Sequence, residues 1–237
     1  MLNLDDDNIL NVYQFGSRVY GSDNVNSDFD YICVLKEYVE SDDINIHHYT
    51  VEQFHALLDN HDIQILECFF LADKYKLKET VDFYLYLDKG KLRTAISTIT
   101  STSWVKGKKK LIVMGDYDKW LAIKSVFHSL RILDFGIQIA QHSKIINYSS
   151  MNYVLEDLIK LSNEFDKIEL WEKIETKYKK VYLEKGSIFK AACPKILTEK
   201  ATIKDDLIKL FEENKCYTKE VANAKLINKL VDYINGL

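Results

Sequence analysis

The sequence predicts an α+β chain in which a small mixed-sheet domain precedes an all-helical one. Two observations carry this. Through the first third, short β-branched and aromatic runs are broken by clusters of Gly, Ser, Asn and Asp, which is strand-and-turn punctuation. From about residue 78 the apolar spacing becomes helical and stays so. Strands followed by helices segregate into separate layers instead of alternating βαβ units.

Val12-Tyr13-Gln14-Phe15 reads as a short strand ended by Gly16-Ser17. A polar, turn-rich stretch from Gly21 to Ser27 leads into Asp28-Phe29-Asp30-Tyr31-Ile32-Cys33-Val34-Leu35, whose side chains predict a second strand. Residues 44–49 alternate and predict a third. Thr50, with Gln53 three positions on, has the form of a capping box opening a helix to about Leu58. Residues 63–71 are apolar without a deciding period and stay open between strand and helix. Helices are expected at 119–142, 153–161, 170–189, 203–214 and 218–237. The polar low-complexity stretch 97–103 is the expected linker, dividing the chain into domains 1–100 and 101–237.

Composition narrows the function classes. With 47% hydrophobic and 29% charged residues among 237, the chain has the make-up of an ordinary globular protein with ample core. A formal charge of −4 excludes coating of nucleic acid by global electrostatics and leaves room for a local basic groove. Cys33, Cys68, Cys193 and Cys216 lie far apart without a CxxC pair, so neither structural zinc nor a disulfide framework is expected. The acidic N-terminal segment lacks the basic start and apolar run of a signal peptide, and no apolar stretch reaches bilayer-spanning length. The expected location is cytoplasmic, with no membrane partner.

Chemistry concentrates in two places. Phe15-Gly16-Ser17 is a strand that ends in a small-residue turn, and Asp28-Phe29-Asp30-Tyr31 follows at short range. Alternation along a strand would put Asp28 and Asp30 on one face, about 7 Å apart. Carboxylates that close repel each other, and a divalent cation with hard oxygen ligands relieves the repulsion. Gly16 lets a phosphate approach the backbone, and Ser17 offers a hydroxyl and an amide. A phosphate cradle facing a metal-binding carboxylate pair is what in-line displacement on a nucleoside triphosphate requires. The plain alternative is an ordinary turn beside a solvated strand edge.

Gly16-Ser17-Arg18-Val19-Tyr20-Gly21 followed by Ser27-Asp28-Phe29-Asp30-Tyr31 resembles the signature of the DNA polymerase β-type nucleotidyltransferase superfamily. Its form is similar to the stand-alone prokaryotic and phage branch that includes RNA-repair-associated enzymes. The resemblance implies a nucleotidyltransferase domain, with Asp28 and Asp30 binding Mg²⁺ or Mn²⁺ and Gly16 and Ser17 gripping an NTP such as ATP. It also implies a third carboxylate from a neighbouring strand. Asn45 stands at the aligned position, and an amide is no base. Asp43 or His47 could substitute, with Asp43 taken as the catalytic candidate and Glu67 as a more distant one.

On the helical side, Lys124, His128, Arg131 and Gln138 form a polar stripe on an otherwise apolar helix. Lys124, His128 and Arg131 are expected at the nucleotide, the alternative being pairing with acidic residues of the N-terminal half. Lys106, Lys108, Lys109 and Lys110 beside Trp104 form a candidate RNA contact, with the indole stacking on a base. The expected reaction moves a nucleoside monophosphate from an NTP to an acceptor hydroxyl, an RNA 3′ end first among the candidates. A protein side chain or a small molecule comes second. The rival is a non-catalytic nucleotide-binding or antitoxin-like interaction module of the same fold.

Overall fold

The computed structural model describes residues Leu4–Pro194. The helices expected at 203–214 and 218–237, and Cys216, lie outside the described residues. The protein is α+β, with a small mixed four-stranded sheet and helices packed on it.

β1 (Ile9–Phe15) is the hub of the sheet. It pairs antiparallel with β2 (Asp30–Leu35) on one side and with β4 (Lys76–Glu79) on the other. β3 (Ile46–Thr50) lies parallel to β2, giving the order β3-β2-β1-β4. β2 begins at Asp30 and not at Asp28, because its partner β1 ends at Phe15, which pairs with Asp30. Tyr13, Ile32 and Val34 of one face enter the main core, while Val12, Cys33 and Leu35 of the other form a smaller cluster. This is the period-two alternation of a sheet buried on both sides.

The turn after β1 is α1 (Ser17–Tyr20), ended by Gly21 in the left-handed region at φ 67°. Thr50 and Gln53 close the expected capping box at the start of α2 (Val51–Asp59). The ambiguous apolar run resolves as α3 (Ile63–Phe69), opened by Asp62, whose carboxylate accepts from the amides of Gln64 and Ile65.

Residues 80–88 are not helical but an extended strap. Asn11, fully buried, holds it by accepting from the amides of Thr80 and Val81 and donating to the Val81 carbonyl. The strap sends Phe83, Leu85 and Leu87 into the core.

Four helices complete the fold: α4 (Lys89–Ile112), α5 (Lys119–His142), α6 (Asn152–Glu164) and α7 (Lys167–Ala192). The stretch 97–103, expected as a linker, is the middle of α4. Its hydroxyls turn back onto the helix, Thr100 to the Ser97 carbonyl and Ser101 to that of Thr98, while Ile96, Thr100 and Trp104 are buried. Polarity there marks a solvent face. α4 and α5 lie antiparallel and close, with Gly107 against Val126 and Gly136 against Ile96 at distances that leave no room for a side chain. Among the described residues no helix is long and apolar enough to cross a membrane.

Candidate functional site

The site is built where β1 stops. Gly16 holds φ 84° and ψ −162°, a region essentially reserved for glycine. A Cβ there would fall 2.0 Å from Asp30 Oδ2. The glycine therefore serves two ends, turning the chain into α1 and letting the Asp30 carboxylate lie against bare backbone. Ser17 opens α1, half-buried, with its carbonyl accepting from the amide of Gly21.

Asp30 is half-buried and Asp28 exposed in the extended segment before β2. Burial, and then the charge of Asp28, raise the Asp30 carboxyl above its ordinary value; His47 and Lys124 oppose the shift without cancelling it. Asp28 and Asp30 thus repel, with His47 and Lys124 within electrostatic reach. His47 pairs with Ile32 across the parallel ladder, so it shares Asp30's face of the sheet. Two residues earlier, Asn45 stands beside Asp30, its carbonyl accepting from the Tyr31 amide at 2.8 Å. Phe15, Asp30's partner on β1, has its ring 5.8 Å from that of His47.

Arg18, to which the sequence pattern assigns no role, is the clasp of the site. Its Nη2 donates to the Ser27 carbonyl at 2.6 Å and its Nε to the Ser27 and Asp28 carbonyls. Its guanidinium lies 4.0 Å from the Phe29 ring centroid and 3.6 Å from Asp23. One side chain therefore fixes the loop that delivers Asp28. The signal available is an arginine directly after a small-residue turn and ahead of a loop rich in Ser, Asn and Asp.

The structure separates the other expected residues. Asp43 is exposed in the turn before β3, where its Oδ1 accepts from the Asn45 amide at 2.9 Å. Lys124 is exposed on α5 and acts on Asp30. Arg131 is buried at 4% exposure, and its Nη1 lies 3.4 Å from Glu67 Oε1 without hydrogen-bond alignment. Its guanidinium stacks 3.7 Å from the Tyr20 ring centroid, and Tyr20 in turn donates to Glu67 Oε2. Burial works against the Arg131 charge, but Glu67 and Tyr20 outweigh it and hold the group cationic.

His128 Nδ1 meets Arg131 Nη2 at 3.1 Å. Burial and the Arg131 charge push the imidazole down to about 3, so it is neutral at pH 7. Gln138 is tied to Asp134, Ser150 and the backbone of Ile146 and Asn147. Of the stripe on α5, only Lys124 reaches the Asp30 side. Arg131 and His128 instead join α5 to Glu67 of α3 and Tyr20 of α1.

The candidate RNA contact also divides. Trp104 is 7% exposed, wedged against Trp171 and Tyr182 with ring centroids 5.7 and 4.7 Å away, so its face is taken. Lys110 pairs with Asp116, and Lys108 lies over the Trp171 ring. Lys106 and Lys109 point to solvent.

Among the described residues no group of three or more His, Cys, Asp or Glu side chains converges on a point. Two carboxylates, such as Asp28 and Asp30, are the donor type that a hard divalent cation takes, with water and phosphate oxygen filling the rest of its shell. Comparison of the chain with protein-family models, curated proteins and solved structures finds no match.

Proposed function

We propose that the protein is a magnesium-dependent nucleotidyltransferase that moves a nucleoside monophosphate from an NTP to an acceptor hydroxyl. The observation that carries this reading is the Asp30 carboxylate, packed on a glycine that admits no Cβ and repelled by Asp28. Ionised carboxylates kept together in this way call for a cation. The resemblance of the Gly16–Tyr31 segment to the polymerase β-type signature supports the same reading.

Asp28 and Asp30 would hold the cation, whose charge would stabilise that of the triphosphate. The chain's own residues do the rest. The Gly16 backbone and the Ser17 hydroxyl hold the outer phosphates, and Arg18 keeps the Asp28 loop in register. Lys124 neutralises charge from the α5 side. The acceptor oxygen bonds to the α-phosphorus as its bond to the bridging oxygen breaks, and pyrophosphate leaves. His47, on Asp30's face, takes the acceptor proton.

One observation favours a second reading, a nucleotide-binding module without turnover. Asn45, not a carboxylate, stands beside Asp30. The test incubates the protein with α-labelled NTPs, Mg²⁺ and total RNA, alongside Asp28→Ala/Asp30→Ala. Label transfer or pyrophosphate release in wild type alone supports the enzyme. Equal signal from the double variant overturns it, and tight NTP binding with no release establishes the binding module.

A further inference from the structure

The turn that follows β1 is held from outside by one residue of α6. Asn152 opens that helix, and its Nδ2 donates to the Tyr20 carbonyl at 2.9 Å and to the Gly21 carbonyl at 2.8 Å. Its Oδ1 is buried with no hydrogen-bond partner among the described residues. Turned the other way, the amide would set that oxygen against two carbonyl oxygens, so the donor faces α1.

Both carbonyls belong to peptide units whose other ends hold Ser17. The Tyr20 carbonyl shares its unit with the Gly21 amide, which donates to the Ser17 carbonyl. The Gly21 carbonyl shares its unit with the Ser22 amide, which donates to the same oxygen at 3.0 Å. Asn152 therefore grips, at one end, the two units that fix Ser17 at the other. Each unit is planar, so a bond at its carbonyl also sets the direction of its amide.

The joint that needs this grip is Gly21, at φ 67° in the left-handed region. Glycine has no side chain to restrict its dihedrals, so Gly21 by itself does not keep the two units in line. Tyr20 is anchored separately, by the Arg131 guanidinium over its ring and by its hydroxyl on Glu67. Loss of Asn152 would therefore leave α1 in place and free the peptide units that end it.

We propose that Asn152 is a positioning residue, which fixes the two peptide units beyond Tyr20 and so holds Ser17 where its hydroxyl meets the outer phosphates of the NTP. The proposal rests on the nucleotidyltransferase reading and places part of that site's precision in α6. Asp28 and Asp30 are held by other means, Arg18 on the loop and the β1–β2 ladder, so the cation does not depend on Asn152.

The test compares the full chain with Asn152→Ala and with Asn152→Asp, which keeps the shape and removes the donor. Gly21 is exposed, so water reaches its freed carbonyl and both variants should melt as folded proteins. Isothermal titration with Mg²⁺ and a non-hydrolysable ATP analogue should show affinity weakened about tenfold, the scale of one hydrogen bond to a charged group. In turnover the loss should fall on KM, with kcat within about twofold of wild type, because the outer phosphates are held alike before and during the reaction. Stabilisation by Mg²⁺ alone should equal that of wild type. Tyr178→Phe, which loosens α6 away from α1 by removing the bond to Asp157, should lower Tm and leave nucleotide affinity unchanged.

Wild-type affinity in both Asn152 variants, with only Tm lowered, overturns the proposal and makes Asn152 a plain fastener of α6, even where NTP turnover stands. So does a parallel loss of the Mg²⁺ response, which would mark a disturbed carboxylate pair. A wild type that binds no nucleotide overturns the nucleotidyltransferase reading, and the proposal with it.

Discussion

Gly16 and Asp30 compete for the same space: the volume a Cβ would need at residue 16 is filled by the Asp30 carboxylate, 2.0 Å from the ideal position. Gly16→Ala therefore combines a backbone conformation costing about 1–3 kcal/mol for a non-glycine residue with eviction of Asp30. The expected outcome is a Tm lower by several degrees, at about 2–4 °C per kcal/mol for a chain of this size, together with loss of Mg²⁺-dependent NTP turnover. Differential scanning fluorimetry and a pyrophosphate assay check it. An alanine variant of wild-type Tm and activity would remove the steric argument.

Metal addition tests the carboxylate pair without any acceptor. Mg²⁺ at about a hundred times its dissociation constant should stabilise the wild type by about 2.7 kcal/mol. The Asp28→Asn/Asp30→Asn variant, relieved of mutual repulsion, should be at least as stable as metal-free wild type and gain nothing from Mg²⁺. Denaturant titrations with and without the metal measure both. A response of the variant equal to that of wild type would place the cation elsewhere.

The Glu67–Arg131 pair is structural and should behave as buried ion pairs do. Glu67→Leu alone strands the guanidinium and should cost about 3–5 kcal/mol, whereas Glu67→Leu/Arg131→Met should recover most of that loss. A double-mutant cycle by urea denaturation gives the coupling. Additive losses would show that Tyr20 and His128, not Glu67, carry the guanidinium.

His128 sets an acid limit. Its folded value of about 3 lies below the ordinary 6.5, so the unfolded chain binds the extra proton between the two. The stability this neutral imidazole contributes is whole above pH 6.5 and falls as pH drops towards about 3. The slope is about 1.4 kcal/mol per pH unit. Wild type should lose stability across that window faster than His128→Leu, as measured by denaturation at stepped pH. Parallel profiles would assign the acid sensitivity to other groups.

Local pattern makes part of the fold legible. Thr50 and Gln53 signal a helix start by the residues that make the capping box, and α5 occupies the stretch its apolar spacing marks. Local pattern fails where solvent-facing residues disguise the period. Tyr84 and Tyr86 are 79% and 87% exposed, so the strap reads as an unbroken apolar run although only Phe83, Leu85 and Leu87 turn inward.

The candidate site divides the same way. Gly16 and Asp30 are close in sequence, and the β1–β2 pairing, in which Phe15 meets Asp30, brings them together. Arg131 meets Glu67 across 64 residues of chain, a partner that helical spacing cannot name. Trp104 reads as a free indole because its neighbours in sequence are lysines, whereas its neighbours in space are Trp171 and Tyr182.

The core has a bearing on how this protein can be cut. Tyr13, Ile32 and Val34 of the sheet share one apolar cluster with Leu92 and Ile96 of α4, Phe135 and Ile139 of α5, and Phe189 of α7. One face of the sheet has its own small strand-only cluster, but the larger cluster on the other face is completed by helices from both halves of the chain. Expression of residues 1–100 by themselves would strip Phe135, Ile139 and Phe189 from that cluster and cut α4 in its middle, so a fragment ending there should aggregate.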